Sequence, residues 1–213
     1  MKKKILILAL AVALVAIMVG GSLAYFTAED EATNTFTIGS VKIEIVEEFQ
    51  KPDAMIPVVN IDEDDPNYID KLARVKNIGD NAAYVQMYVA IPQALDETGA
   101  FVVVDADNGD WTTRVKVGTT EFETVTYNVY MYRYKSLLDV NTETSNVITA
   151  AYLAPQLDYD HDTGKFVMDG VSIDDYTPGE SIDIYVGAQA IQAAGFDGYD
   201  NALNNFTTHP WAN

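Results

Sequence analysis

The chain has 213 residues and no cysteine, and its 32 acidic residues against 13 basic ones give a formal net charge of -19. The lack of cysteine excludes a disulfide scaffold, a cysteine-ligated metal module and a thiol enzyme. The acidic balance argues against nucleic-acid binding, because a polyphosphate partner would be repelled. Hydrophobic residues make up 48% of the chain, which is enough to fold one domain with or without an arm.

The first 24 residues are predicted to be a secretory signal peptide. Three lysines at positions 2–4 precede an apolar run at positions 5–19, and such a run is shorter than the roughly 20 residues that span a bilayer. Ser22 and Ala24 are the small residues expected before the cut, which places cleavage between Ala24 and Tyr25. Cleavage removes three lysines and no acidic residue, so the charge of the mature chain becomes -22. We expect a secreted protein without a membrane segment after cleavage.

Residues 25–40 are predicted to form an extended N-terminal arm, and residues 41–213 the body. Between positions 26 and 38 the even positions are largely apolar, which is the period of a strand with one apolar face. The apolar phase changes after Gly39 and Ser40, and a strand changes its buried face only through an inserted residue or a bend. The arm residues expected to mediate assembly are Phe26, Ala32, Phe36, Ile38 and Gly39.

The body has the pattern of short strands separated by turns, which predicts an all-β antiparallel sandwich of the jelly-roll or immunoglobulin-like sort. The predicted strands cover residues 41–46, 72–76, 85–91, 101–104, 111–117, 122–134, 146–153 and 182–190, with a strand pair around 166–173. Residues 53–68 are predicted to be a long acidic loop. Only the C-terminal tail is predicted to be helical, as a short helix capped by Asp197.

The N-terminal region carries a family resemblance. Residues 20–27, of sequence GGSLAYFT, and residues 32–41, of sequence ATNTFTIGSV, resemble the start of the TasA/camelysin family of secreted Gram-positive proteins. The resemblance implies release by a signal peptidase of the SipW type. It further implies a jelly-roll subunit of extracellular biofilm-matrix fibres, whose N-terminal segment enters the neighbouring subunit. The same family carries a metallo-endopeptidase label, which comes from camelysin.

Three fates of the arm remain open from the residues alone. It is a strand of its own sheet, a strand donated to the next copy, or a disordered tail. Ordering the fourteen residues 25–38 costs roughly 14–28 kcal/mol of backbone entropy, whereas each large apolar side chain returns about 1.5–3 kcal/mol on burial. The arm therefore needs a free sheet edge as well as apolar pockets, and donation to the next copy yields an open filament.

Catalytic motifs are nearly absent from the sequence. His161 and His209 are the two histidines, and neither lies in an H-E-x-x-H motif. No residue is predicted to be catalytic and no cofactor is expected to be required. A zinc site that combines these histidines with carboxylates, as a camelysin-like peptidase would need, stays an alternative.

Among metal ions, calcium fits this acidic chain better than zinc does. Asp158, Asp160 and Asp162 alternate, and Asp169 stands at the twelfth position of an EF-hand-like loop, although position six is Thr163 rather than glycine. A solvated acidic hairpin is the competing interpretation.

The tyrosines of one predicted strand offer a third kind of function. Tyr130, Tyr132 and Tyr134 share one side of that strand, where they either stack sugars, as in an adhesin, or pack inside the sheet. The interpretation that the sequence favours remains a self-assembling structural subunit of surface or matrix fibres of a Gram-positive bacterium. Its expected partners are further copies of itself and the signal peptidase. Assembly should be favoured by salt, Ca²⁺ and lower pH, because these reduce repulsion between acidic subunits.

Overall fold

The computed structural model describes residues 27–31, 41–50, 52, 54–173, 176 and 181–212. These residues form twelve strands and two short helices, which we number in chain order. The strands are β1 Thr27–Glu31, β2 Ile43–Phe49, β3 Ile69–Asn77, β4 Ala83–Pro92, β5 Phe101–Asp105, β6 Val115–Phe122, β7 Val125–Arg133, β8 Ile148–Leu153, β9 Leu157–Asp160, β10 Lys165–Met168, β11 Val171–Ile173 and β12 Tyr185–Gln192. The helices are α1 Gln93–Thr98 and α2 Tyr199–Leu203.

Two antiparallel sheets make up the sandwich. The larger sheet has the strand order β1-β12-β4-β7-β6, and the smaller one has the order β2-β3-β8-β5. A separate three-stranded meander has the order β11-β10-β9. All strand pairs in these sheets are antiparallel. The prediction of an all-β antiparallel sandwich is thus confirmed.

The core lies between the two sheets and is built from alternate residues of their strands. The central strand β4 supplies Val85, Met87, Val89 and Ile91, all of them fully buried. β4 is also buried on its other face, where Tyr88 and Ala90 lie under a second apolar cluster. A strand covered on both faces loses the clean alternation of apolar and polar residues, which explains the nearly continuous apolar sequence of β4.

Some predicted elements differ from the observed ones. Residues 122–134 are not one strand, because Glu123, with φ +55°, and Thr124 form the turn of the β6–β7 hairpin. Helix α1 was not predicted, and it ends at Gly99 in the left-handed conformation, with φ +72°. Asp197 does not cap the C-terminal helix, since the N-cap is Gly198 and has no side-chain hydrogen bond.

The acidic loop before β3 is organised by one carboxylate. Asp65 is buried, and its side chain accepts hydrogen bonds from the backbone N–H groups of Val59 at 2.7 Å, Asn60 at 3.1 Å and Asn67 at 2.9 Å. These backbone donors hold the pKa of Asp65 below its ordinary value. Asp65 is therefore a structural residue of the loop. Asp62, three residues earlier in the chain, is exposed.

Candidate functional site

The described part of the arm lies at the edge of the larger sheet. Of the strands that the structure describes, only β12 pairs with β1; the pairing is antiparallel and runs from Thr27 opposite Ile191 to Glu31 opposite Gly187. β1 is therefore the outermost strand at that edge. The other predicted residues of the cleavage site and the arm lie outside the described residues; they are Ala24, Tyr25, Phe26, Ala32, Phe36, Ile38 and Gly39.

Strand β12 is the receiving strand for β1. Its other edge pairs with β4 along the full length, from Tyr185 opposite Ala90 to Gln192 opposite Ala83. Its core-facing positions are small or β-branched: Val186 is buried, and Ala188 and Ala190 have no exposed surface. Strand β1 also lies close to β2 of the smaller sheet. We call the edge of β12 that faces β1 the acceptor edge.

A buried amide and phenol network supports β12 from outside the sandwich. The Nε2 atom of Gln86 donates to Tyr88 Oη at 2.6 Å and to Gln189 Oε1 at 2.9 Å, and the Tyr88 hydroxyl donates to the same Gln189 oxygen at 2.7 Å. Gln189 Nε2 donates to the carbonyl oxygen of Thr208 at 3.2 Å. These side chains are almost completely buried, so the network specifies how the C-terminal segment crosses β12 and β4.

Residues 204–212, which we call the C-terminal strap, cover the outer face of the larger sheet. The Trp211 ring packs edge-on against Tyr88, with centroids 6.4 Å apart, and against Phe122, with centroids 5.7 Å apart. Thr120 Oγ1 donates to the Trp211 carbonyl oxygen at 3.1 Å. A Cβ atom on Gly187 would lie 2.8 Å from the Trp211 ring. The tryptophan therefore needs a glycine at this position of β12.

His209 lies within the strap and against aromatic rings. Its ring is near those of Tyr88 and Trp211, at centroid distances of 6.4 and 6.3 Å. Burial lowers the pKa of His209 below its ordinary value of 6.5. Its Nδ1 atom is buried and has no hydrogen-bond partner among the described residues. His209 is thus a packing residue that is neutral at physiological pH.

The two histidines lie on different elements. His161 is exposed in the turn between β9 and β10, with its ring edge-on to Tyr159 at 4.9 Å, whereas His209 lies over the larger sheet. Within the part of the chain that the structure describes, no three histidine or carboxylate side chains converge as metal ligands. The described donor set therefore does not fit a catalytic zinc centre.

The four predicted calcium ligands are spread over strand β9 and the two turns on either side of β10. Asp160 Oδ1 accepts the N–H of Asp162 at 2.8 Å, and its Oδ2 accepts the Thr163 hydroxyl at 2.8 Å, so this carboxylate closes the β9–β10 turn. Asp158 pairs with Val167 across the β9–β10 hairpin. Asp169 follows β10, in the turn to β11, with φ +50°. The structure brings Asp160 and Asp162 together and places Asp169 at the opposite end of β10.

The tyrosine row faces the inside of the sandwich. Tyr132 is 1% exposed, and its hydroxyl donates to Asp105 at 2.7 Å. Tyr130 donates to Asp96 at 2.7 Å, and burial raises the pKa of Tyr130 to about 12. The Tyr134 ring lies against the Trp111 ring in a tilted arrangement, with centroids 5.0 Å apart. These rings pack against the core and its rim, so they do not form an open sugar-stacking surface.

Three residues that connect the receiving strand to the strap were not predicted from the sequence. Gly187, Gln189 and Trp211 connect β12 to the strap through ring packing and the amide network. A glycine inside an apolar strand pattern is a signal of close approach by another group, and Gly187 carried that signal. Nothing local pointed to Trp211 as its partner, because the two are 24 positions apart.

An antiparallel β-sandwich with an N-terminal edge strand is the class of protein that the fold and this edge define. Residues 1–165 match the family described as camelysin metallo-endopeptidase. The match covers well over half of the chain, and the chain belongs to this family, as the sequence resemblance predicted. No significant match to it is found among curated proteins. Among the described residues, no helix has the length and apolar character required to cross a membrane.

Proposed function

We propose that this protein is a secreted structural subunit of extracellular fibres on a Gram-positive bacterium. Its subunits assemble when the N-terminal strand of one copy pairs with the acceptor edge of the next. The observation that carries the proposal is the position of β1, which precedes the body in the chain and, among the described strands, is bonded only to β12.

Exchange of β1 between copies leaves the core of each body intact. The strand makes the same backbone ladder on β12 of a neighbour as on β12 of its own chain. Such strand exchange is a low-cost route to association, because few contacts are unique to either arrangement. Donor surface and acceptor surface differ, so the contact is heterologous, and an unclosed series of such contacts produces a filament.

The connection between β1 and β2 is long enough for exchange. Eleven residues, 32 through 42, separate Glu31 from Ile43. Fully extended, eleven residues span roughly 36–40 Å. A domain of this size has a radius of gyration of roughly 15 Å. The connection therefore has the reach to place β1 on an adjacent body.

The proposal of secretion rests on the N-terminal sequence and on the family. A basic start, an apolar run and small residues before Tyr25 are the features of a cleaved signal peptide. Cleavage by a signal peptidase of the SipW type would create the free end of the arm at Tyr25. Without that cut, the apolar segment remains attached next to β1 and hinders its exchange.

A cysteine pair tests the exchange directly, because the chain has no cysteine of its own. Ala28 and Ala190 are directly opposite in the β1–β12 register, and such pairs have Cα separations that a disulfide tolerates. We would mix the separate variants Ala28→Cys and Ala190→Cys of the chain starting at Tyr25, let them assemble, and oxidise them. A covalent dimer of the two different chains is expected, since only pairing between copies joins them.

The double variant A28C/A190C and an arm deletion complete the test. Pairing between copies should give a ladder of covalent multimers from the double variant, and pairing within one chain a cross-linked monomer. Deletion of residues 25–38 should leave a folded monomer that forms no fibres in electron micrographs. Cross-linked monomer alone within assembled fibres, or fibres of normal appearance from the deletion, would refute the proposal.

The family description favours a second candidate, a secreted metallo-endopeptidase. The test is casein cleavage by the pure protein, with and without a chelator. Cleavage that is lost on chelation and in His161→Ala would establish this second candidate. The His209→Ala variant is the matched control for the other imidazole.

A further inference from the structure

The sandwich has two open sides, each formed by one edge of the larger sheet and one edge of the smaller sheet. On the first side, β1 pairs with β12 and lies close to β2. On the second side, β6 ends the larger sheet and β5 ends the smaller one. Among the described strands, β6 pairs only with β7, and β5 only with β8. Unpaired edge strands are templates for pairing with another chain, so soluble proteins protect them.

The backbone of β6 has unpaired hydrogen-bonding groups near its hairpin turn. Phe122 and Val125 flank the two-residue turn and form the closing hydrogen-bonded pair of the β6–β7 hairpin. Pairs of an antiparallel ladder alternate, so Glu121 and Thr119 belong to non-hydrogen-bonded pairs, and their N–H and C=O groups point away from β7. Another strand could therefore pair with residues 119–121.

A β-bulge interrupts β6 next to this stretch. The β6–β7 register shifts between Lys116 and Gly118, so Val117 is an extra residue on the β6 side. A bulge bends an edge strand and increases its twist, which leaves fewer residues in line for an incoming strand. The Lys116 ammonium lies 3.2 Å from Glu97, and lysine on an edge strand also disfavours pairing. The regular part of β6 is thus shortened to residues 118–122.

One arginine bridges the two sheets on this side. Arg114 directly precedes β6, and its Nη1 atom donates to the carbonyl oxygen of Val103 in β5 at 3.3 Å. The N–H of Ala154 donates to the carbonyl oxygen of Ala100 at 2.9 Å, which makes Val103 a member of a non-hydrogen-bonded pair with β8. The carbonyl of Val103 therefore lies at the free edge of β5. The guanidinium occupies an acceptor that an incoming strand would need.

Side chains of both sheets hold this guanidinium in place. Arg114 Nη1 lies 3.4 Å from Asp105 Oδ1, the oxygen that also accepts the Tyr132 hydroxyl at 2.7 Å. The guanidinium lies over the Tyr130 ring, 4.8 Å from its centroid, an arrangement that attracts a cation to the face of the ring. Tyr130 and Tyr132 belong to β7, and Asp105 belongs to β5. Arg114 thus joins the sheets at the place where a further strand would enter.

We propose that the Arg114 bridge and the bulge at Val117 prevent a further strand from pairing on the β5–β6 side, so that each body accepts a single arm, on β12. Glu121 and Glu123 are exposed on this side and repel acidic copies of the same chain. The inference rests on the proposed function. With one donor strand and one acceptor edge in each copy, fibres grow end to end without branches.

Hydrogen exchange tests whether the edge of β6 stays unpaired in assembled protein. We would compare the exchange rates of the Thr119 and Glu121 amides in fibres and in monomers of the chain starting at Tyr25. Equal rates are expected, because both N–H groups face solvent in either state. The amides of Thr120 and Phe122, which face β7, are the internal reference and should be protected in both states. Slowing of the Thr119 and Glu121 amides by about tenfold or more in fibres would overturn the inference.

Removal of both features should create a second acceptor edge. The double variant combines Arg114→Leu, which frees the carbonyl of Val103, with deletion of Val117, which removes the bulge from β6. In its fibres, the outward amides of residues 119 and 121 should exchange about tenfold more slowly than in wild-type fibres. Electron micrographs should show branched or laterally fused fibres. Deletion of Val117 alone should give the same changes to a smaller extent, which provides a second test where the double variant does not fold.

Arg74→Leu is the matched control. Arg74 also pairs with two side chains, Glu48 at 2.7 Å and Glu143 at 2.7 Å, but its strand β3 lies between β2 and β8 and has no free edge. This variant should form fibres as straight as those of the wild type. Branched fibres from Arg74→Leu would overturn the inference, because loss of any paired arginine would then produce branching.

The outcomes separate this inference from the proposed function. Straight fibres with fast-exchanging β6 amides from a folded variant that lacks Val117 overturn the inference and leave strand donation intact. Failure of the wild-type chain to form fibres refutes the proposed function. The inference is then tested in soluble protein by size-exclusion chromatography, where the double variant should associate and the wild type and Arg74→Leu should remain monomeric. A monomeric double variant would overturn the inference in that case.

Discussion

Substitution of Gly187 by alanine should detach the C-terminal strap from the sheet. The added Cβ would lie 2.8 Å from Cζ2 and 3.2 Å from Cη2 of Trp211, and 3.3 Å from Cγ of Pro210. Contacts below 3.0 Å are far shorter than the 3.5–4.0 Å optimum between carbon atoms. The indole is held by Tyr88 and Phe122, so it cannot move aside without losing those ring contacts.

We expect Gly187→Ala to lower the free energy of unfolding by about 1–3 kcal/mol, the usual cost of overpacking a well-packed site. For a domain of this size, each 1 kcal/mol corresponds to a decrease in Tm of roughly 2–4 °C. The φ angle of Gly187 does not fall in the left-handed range. The loss is therefore expected from the clash with the strap rather than from backbone strain.

A double-mutant cycle with Trp211→Ala isolates this clash. Urea unfolding followed by circular dichroism would be measured for the wild type, both single variants and the double variant. In the Trp211→Ala background, Gly187→Ala should cost much less, because the ring that it meets is gone and only the 3.3 Å contact to Pro210 Cγ remains. Gly198→Ala is the matched control, since its Cβ would meet no heavy atom within 4 Å.

Equal costs of Gly187→Ala with and without Trp211 would refute this account. A free energy of unfolding in Gly187→Ala equal to that of the wild type would refute it as well, because the strap would then accommodate the added Cβ atom at no cost in stability.

Two further predictions concern pH and ionic conditions. Because burial lowers the pKa of His209, the unfolded chain binds its proton more readily; stability should be complete above about pH 6.5 and decline as pH falls below that value. Comparison of Tm at pH 7.5 and 5.5 should show a smaller decline in His209→Gln, and an unchanged decline would contradict the assignment. Assembly of the chain that starts at Tyr25, with its charge of -22, should be promoted by NaCl or Ca²⁺ in light scattering; scattering that decreases on their addition would contradict the role of charge repulsion.

Local patterns were sufficient to predict the sandwich. Alternation of apolar residues along β3 and β12 and turn residues between the strands are properties of short sequence windows, because side chains of a strand alternate between two faces. The same windows predicted the ends of the strands less well. The turn at Glu123, for example, was predicted to lie inside a strand. They also failed for α1, whose six residues are too few for a helical period to stand out.

The sequence by itself determined the family and the absence of thiol chemistry, and the arm with its largely apolar even positions stays a prediction from it. Only the tertiary structure decided that β1 borders β12, that Asp30 stands opposite Ala188, and that Trp211 lies over Gly187. The physical reason is the range of the interactions. Strand periodicity is encoded between neighbours in sequence, whereas register and ring packing join residues that are distant along the chain, and many alternative pairings satisfy the same local pattern.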